Sequence, residues 1–167
     1  ANKQSGAWMT TYREQWVEDK TGENVRPIVS IVMNFTKPTE TTPSLLTFDE
    51  FTTFLHEFGH ALHGMLAKGK YESLNGTSVY RDFVELPSQI MENWAFEEEL
   101  LKTYALHHRN NTTISKNLIE KIHNSAQFNQ GFATTELLAA ALVDLDIHSL
   151  TKFEEGFDVM GFEKRAL

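Results

Sequence analysis

The sequence predicts a mainly α-helical fold with one edge strand or small β element. Three observations support this class. The long apolar segments repeat at helical spacing, a capping box precedes the first of them, and a single β-branched run lies between chain-breaking residues. With 167 residues the chain can bury a sizeable core, so a single domain is expected over residues 1–167.

Composition and charge exclude several classes of partner. The formal net charge is −8, whereas nucleic acids and anionic membranes attract clustered basic residues, so we expect neither as a partner. The absence of cysteine excludes thiolate zinc sites and cysteine nucleophiles, and it favours a cytoplasmic location. The longest apolar run near the C-terminus, Leu137 to Val143, is far shorter than the roughly 20 residues that span a bilayer.

The N-terminal part is predicted to be irregular apart from one strand. Residues 1–24 are polar and contain Gly6 and Gly22, which predicts a loop with at most a short helix. Residues 28–35 (IVSIVMNF) lie between Pro27 and the KPTETTP segment, which predicts a strand. Because an isolated strand is unstable, it must pair with another segment or lie on a helical body.

A helix is predicted over about residues 48–68. Thr47 and Glu50 form a capping box at its start, and Gly69 ends it. Six apolar side chains recur at helical spacing and are expected to form its buried stripe: Phe51, Phe54, Leu55, Phe58, Leu62 and Met65.

The remainder is predicted to be loop and helices. A loop over residues 69–80, with a turn at Asn75-Gly76, precedes a long helix over about 83–107. Asp82 is the expected N-cap of that helix, and Pro87 is tolerated near its start.

Two further helices are expected at about 114–128 and 133–150, and a short one within 153–167. The helix at 133–150 carries five apolar residues on one face: Leu137, Leu138, Ala141, Leu142 and Leu145.

Chemistry is indicated by the segment HEFGHAL, residues 56–62. His56 and His60 lie about 40° apart around a helix and about 6 Å apart along it, so both imidazoles can bind one Zn²⁺. Glu57 points to one side of them and can reach a water at an open metal position, as a general base does in HExxH metallopeptidases. Gly59 lets another segment approach the helix closely. Without a metal, burying such a polar trio is costly.

A catalytic zinc needs a third protein ligand and one open position. The metzincin pattern requires a glycine and a histidine where this chain has His63 and Leu66, so that solution fails. Glu85, near the start of the next predicted helix, is the best candidate for the third ligand.

Three stretches make the family recognisable: NFTKPTETTPSLLTFDEFTTFLHEFGHALHGML, DFVELPSQIMENW and QFNQGFATTELLAAALVDLDIH. They resemble the thimet oligopeptidase and peptidyl-dipeptidase family of zinc metallopeptidases (gluzincins), and most of all its bacterial peptidyl-dipeptidase branch. The resemblance implies a zincin-like catalytic core in which His56, His60 and Glu85 bind one Zn²⁺ and Glu57 activates the hydrolytic water. It also implies release of C-terminal dipeptides from short oligopeptides.

Members of this family are several times longer, so the chain is expected to be the core of a larger catalytic domain. The missing lobes include a helical wall of the substrate channel and a later region with the His and Tyr that stabilise the oxyanion. One alternative is therefore a zinc-binding helical module without activity on its own. Another is a non-catalytic interaction domain, which predicts no metal.

Residues around the site have more than one interpretation. A metal-bound imidazole usually donates its other N–H to a carboxylate, and Glu92, two turns after Glu85, could accept it in a second coordination shell; the alternative is a solvated Glu. His63 shares the metal-facing side, but a fourth ligand would close the site, so packing or substrate contact is preferred.

Two segments could contact a peptide substrate. By the same resemblance, the strand Ile28–Asn34 could bind an extended peptide along its edge; burial under a helix is the alternative. In the following loop, Asn75, Gly76 and Ser78 are candidate substrate contacts.

Overall fold

A computed structural model describes residues 4–153 and 155–167 as helices with a few short strands, which confirms the predicted mainly α class. The chain divides into two compact units, Ala1–Ile119 and Glu120–Leu167. The single domain expected over residues 1–167 stays a prediction. The candidate site lies in the first unit.

Four short strands form two antiparallel pairs. They are β1 (Trp8–Arg13), β2 (Trp16–Val17), β3 (Asn24–Val25) and β4 (Ile28–Val32). β1 pairs with β4, from Trp8 opposite Val32 to Arg13 opposite Ile28, with a bulge between Thr11 and Arg13, and β2 pairs with β3. The strand predicted at 28–35 is confirmed, although it ends at Val32.

The prediction of a loop over residues 1–24 is wrong for β1 and β2, while residues 1–3 lie outside the described part. The reason is tertiary. Thr11 is polar but faces the long helix together with Met9, so the strand lacks the apolar alternation that marks a half-buried strand in sequence.

The helix α1 (Phe48–Met65) begins as predicted and ends three residues early. Its capping box is confirmed: Thr47 Oγ1 accepts a hydrogen bond from the Glu50 backbone N–H at 3.1 Å, and Glu50 Oε2 accepts one from the Thr47 N–H at 2.8 Å. The other oxygen of Glu50 accepts hydrogen bonds from the N–H and hydroxyl of Thr36. Glu50 therefore attaches the segment after β4 to the start of α1.

A Glu50→Gln variant should lose stability in a pH-dependent way. Hydrogen bonds, first that from the Thr47 backbone, lower the pKa of Glu50 in the folded protein. A lowered pKa stabilises the fold above the ordinary carboxyl range, and this contribution disappears as the pH falls through the folded pKa. In urea unfolding, the variant should be less stable than the parent at neutral pH, and the difference should shrink steadily as the pH is lowered through the acidic range. Glu40→Gln, at an exposed carboxylate, is the matched control; a deficit independent of pH would contradict the prediction.

The buried face of α1 differs from the predicted stripe. Of the six predicted positions only Leu55 is buried, and Met65 is 43% exposed. The buried residues of the helix are Leu55, Glu57, Gly59, Ala61 and Gly64. The helix packs against the β1–β4 pair on one side and a second helical segment on another, and small residues permit this close contact. The phenylalanines instead form a partly exposed ring cluster that includes Tyr104.

The prediction of one long helix over 83–107 is wrong, because this segment forms several short helices. These are α2 (Arg81–Val84), α3 (Leu86–Glu92), a 3₁₀ turn (Asn93–Phe96) and α4 (Glu98–Tyr104). Pro87 has no N–H to donate and its ring crowds the carbonyl four residues earlier, which separates α2 from α3. Glu98 and Glu99 favour a new helix start, because acidic side chains stabilise an N-terminus. Asp82 lies inside α2 and is not its N-cap, which is Tyr80.

The C-terminal helices lie close to their predicted positions: α5 (Lys116–Gln127), α6 (Gln130–His148) and α7 (Val159–Ala166). The apolar face of α6 is exposed, with all four of its predicted leucines more than half accessible. No helix in the described part of the chain is both long enough and apolar enough to cross a bilayer.

Candidate active site

The three predicted metal ligands lie together. His56 and His60 are on successive turns of α1, and Glu85 lies at the junction between α2 and α3. Glu85 Oε2 is 3.2 Å from Nε2 of His56 and 3.2 Å from Nε2 of His60. The three ligand atoms all lie within 4.8 Å of one another. Their assignment as ligands stays a prediction, but the geometry that it requires is present.

Gly59 lets α3 approach the histidine helix. A Cβ atom at this position would lie 2.6 Å from Ser88 Cα and 2.7 Å from the Pro87 carbonyl oxygen. Both distances are far below an ordinary contact, so any side chain here would displace α3. The close approach expected from Gly59 is therefore present, and it carries Glu85 toward the two imidazoles.

The hydrogen bonding of His56 places its second ring nitrogen against a carboxylate. Its Nδ1 lies 2.6 Å from Glu92 Oε1, which is the contact predicted for Glu92. When the neutral ring donates its Nδ1–H to Glu92, Nε2 carries a lone pair and faces the acceptor-only oxygen of ionised Glu85. Two acceptors in contact are stabilised only by a proton or a cation between them. Two imidazole nitrogens and one carboxylate oxygen are a donor set that suits Zn²⁺.

Glu57 is a buried carboxylate beside this group. The residue is 7% exposed, and its Oε2 has no hydrogen-bond partner among the described residues. An unpaired buried polar atom is costly, so the position of this carboxylate calls for an explanation. Glu57 lines the same cleft as the two histidines, as a general base acting there must.

The cleft at the metal-ligand group has a volume of about 390 Å³. Its walls come from the start of β1, from α1, from the loop before α2 and from the end of α2 with the residue after it: Ala7, Trp8, Met9, His56, Glu57, His60, Thr77, Val84 and Glu85. The strand that lines this cleft is thus β1, whereas the sequence pointed to the strand Ile28–Asn34. A second cleft of about 400 Å³ shares Ala7, His56 and Glu57 with it and extends toward the start of α1.

The loop over residues 69–80 is attached to the strands by buried amides. Asn75 is 8% exposed and donates hydrogen bonds to the backbone and side-chain oxygens of Gln15, which is 1% exposed. Gly69 N–H donates to the same Gln15 side chain at 2.7 Å. Asn75 was a candidate substrate contact, but its side-chain amide donates its hydrogen bonds to Gln15 inside the protein. Thr77 lines the cleft instead.

Two other candidates in this region have different surroundings from those expected. Gly76 has φ +57° and lies against Glu14, and Ser78 lines a separate cleft with Glu14 and Trp16. Sequence gave no signal for the role of Gln15, because its amide partner Asn75 is distant along the chain.

His63 does not join the metal-ligand group. Its ring packs edge-on against Phe83, with centroids 6.0 Å apart. Burial, and to a smaller extent the charge of His60, lowers the pKa of His63 and favours its neutral form. Of the two roles predicted for it, packing is the one observed.

Comparison with known proteins identifies the family. The sequence model of the family described as peptidase family M3 matches residues 1–161. The chain belongs to peptidase family M3. The resemblance drawn from the HEFGH and DFVELPSQ segments is thereby confirmed, and M3 peptidases are generally metallopeptidases.

The M3 relatives are peptidases. Dipeptidyl carboxypeptidase of Escherichia coli (strain K12) is 42% identical over 166 residues, which cover 99% of this chain and 24% of that protein. The thimet-like oligopeptidase of Dictyostelium discoideum is 42% identical over 130 residues, covering 77% of this chain and 19% of that protein. Oligopeptidase A of Escherichia coli (strain K12) is 33% identical over 160 residues, which cover 95% of this chain and 23% of that protein. The chain thus spans about a quarter or less of the length of these relatives.

Proposed function

We propose that this chain contains the metal centre of a zinc peptidase that hydrolyses short oligopeptides and releases dipeptides from their C-terminus. The substrate part of the proposal rests on the printed name of the 42% identical dipeptidyl carboxypeptidase. Nucleic acids and membranes are not proposed as partners, and a cytoplasmic location stays a prediction from the cysteine-free sequence.

One observation carries the metal part of the proposal. Two imidazole nitrogens and one carboxylate oxygen converge, while Glu92 occupies the outer nitrogen of His56. A carboxylate partner of this kind fixes the tautomer and orientation of a ligating histidine. In the proposal His56, His60 and Glu85 hold the ion, and Glu92 orients His56.

The proposed chemistry divides between the ion and the chain. Bound at this site, Zn²⁺ supplies Lewis acidity toward a peptide carbonyl and lowers the pKa of a water that it holds to about 7. The Glu57 carboxylate takes a proton from the attacking water as the new C–O bond forms. The same carboxyl group then gives a proton to the leaving amine as the C–N bond breaks.

The start of β1 supports a binding mode for the peptide. Trp8 and Met9 line the cleft next to the histidines, and within residues 4–153 and 155–167 β1 pairs with β4 alone. An extended peptide could add to the other edge through main-chain hydrogen bonds. In the proposal β1 therefore takes the role that the sequence suggested for Ile28–Asn34.

A second candidate function is a zinc-binding helical module without activity on its own. The short span of the chain relative to its M3 relatives favours it, because groups that stabilise the oxyanion can lie elsewhere in the longer protein. Loss of one oxyanion donor typically costs about 10²–10³ in rate. Peptidase assays of this chain beside a longer protein that contains it separate the two functions.

Metal analysis tests the proposed centre. After incubation with Zn²⁺ and desalting, the chain should retain one zinc ion, and His60→Ala should retain almost none, because two remaining ligands bind weakly. His148→Ala is the matched control, since this exposed imidazole lies in α6 and its Nδ1 contacts Asp144 of the same helix. Absence of zinc from the folded parent chain would reject the proposal in favour of a non-catalytic interaction domain.

A further inference from the structure

Ser88 has an unusual position for a serine in a helix. It is fully buried in α3, with 0% of its surface exposed. Its hydroxyl lies 2.8 Å from Glu85 Oε2 and 2.9 Å from the backbone oxygen of Glu85. A serine that bonds to a nearby carbonyl of its own helix is common, so the second contact alone is ordinary. The first contact is different, because Oε2 is the oxygen that faces both imidazoles.

The direction of this hydrogen bond follows from the groups involved. An ionised carboxylate has no proton to give, so the Ser88 hydroxyl is the donor and Glu85 Oε2 the acceptor. Hydrogen bonds to a charged acceptor are about twice as strong as those between neutral groups. The hydroxyl proton is therefore directed to the carboxylate rather than to the carbonyl.

The packing of α1 against α3 fixes where this donor lies. The Ser88 Cα atom would be only 2.6 Å from a Cβ at Gly59, so the backbone around Ser88 rests directly on the histidine helix. The side chain of Glu85, in contrast, is 46% exposed. Without a hydrogen-bond partner it could adopt several rotamers, and fixing one of them costs conformational entropy. Apart from the two histidines, Ser88 provides the one hydrogen bond to this carboxylate among the described residues.

We propose that Ser88 is a positioning residue, which holds the Glu85 carboxylate where its Oε2 can join His56 and His60 on a metal ion. This role rests on the proposed metal centre. It adds to that centre the hydroxyl group of Ser88, which donates a hydrogen bond from α3 to the Glu85 carboxylate. Ser88 acts through Glu85 and does not contact the ion or the substrate.

Metal affinity of a Ser88→Ala variant tests this role. The substitution removes one oxygen and adds no atom, so the fold should be retained. Competition with a chromogenic chelator should show a fall in Zn²⁺ affinity of about 10–100-fold, the usual effect of losing an outer partner of a ligand. The visible absorption bands of the Co²⁺-loaded variant should also change, because the carboxylate is less well oriented.

A double-mutant cycle separates this role from a general loss of structure. In a Glu85→Ala background, Ser88→Ala should have no further effect on the residual metal affinity, because the group through which it acts is gone. Thr103→Ala is the matched control: its hydroxyl bonds to the carbonyl of Leu100 in α4, at the same spacing, without a carboxylate. This control should leave the Co²⁺ spectrum unchanged.

The outcomes distinguish the two proposals. If the parent chain binds no metal, the proposed centre fails and the role of Ser88 fails with it. If the parent binds zinc and Ser88→Ala binds it equally well with the same Co²⁺ spectrum, the centre stands and the role of Ser88 is rejected. An equal loss in the presence and absence of Glu85 would likewise reject it, because the effect would then not pass through that carboxylate.

Discussion

A Glu57→Gln variant is expected to keep its zinc and to lose nearly all peptide hydrolysis. Glutamine has almost the same shape, and residue 57 is not one of the three converging ligand groups, so metal binding should survive. The amide cannot take a proton from water, and general-base catalysis typically contributes about 10²–10⁴-fold to a rate. We therefore expect kcat to fall by roughly that factor in whichever form is active, this chain or a longer protein that contains it.

The measurement pairs zinc content with kcat on an unstructured peptide. Glu99→Gln, at an exposed carboxylate in the first turn of α4, is the matched control and should leave both quantities unchanged. Retention of full activity by Glu57→Gln would exclude this carboxylate as the base. Loss of zinc together with activity would show instead that Glu57 supports the metal centre structurally.

A Gly59→Ala variant is expected to weaken both the fold and the metal centre. The added methyl group would collide with backbone atoms of Pro87 and Ser88. Backbone atoms within a helix cannot move aside as the end of a flexible side chain can. Overpacking of this kind typically costs about 1–3 kcal/mol, more than the 0.5–1 kcal/mol or so that alanine contributes as a better helix former. Because α3 must move away from α1, Glu85 should move with it, and zinc affinity should fall by at least about 10-fold.

Urea unfolding and chelator competition measure the two effects. Gly131→Ala is a matched control, because this glycine also lies in a helix but a Cβ there would meet nothing within 4 Å. That control should gain about 0.5–1 kcal/mol of stability without a change in zinc affinity. Equal behaviour of the two variants would show that the spacing between α1 and α3 does not control the centre.

Local sequence patterns were sufficient for much of the site. The capping box fixed the start of α1, and the helical spacing of His56 and His60 fixed their common face. Glu85 and Glu92 follow from the DFVELPSQIMENW segment, and the structure brings both to the histidines. The capping box and the common face of the two histidines depend on neighbours within one or two turns of α1, whereas the approach of Glu85 and Glu92 depends on the packing of α3. The metal-binding roles of these residues stay predictions.

Elsewhere, local patterns failed where long-range contacts decided the structure. The strand β1 forms because β4 and α1 cover it, although Thr10 and Thr11 interrupt the apolar alternation of its sequence. The buried amide pair of Gln15 and Asn75 joins residues distant along the chain, and nothing near either residue indicates it.

The sequence by itself determined the residue types of the proposed metal centre, the helix that carries two of them and the family to which the chain belongs. Only the tertiary structure decided which strand lines the cleft, which side of α1 is buried and how Ser88 meets Glu85. The physical reason is the different range of the interactions. Helix caps and ligand spacing act over a few residues. The close packing of α3 on Gly59 instead joins two segments that are far apart along the chain.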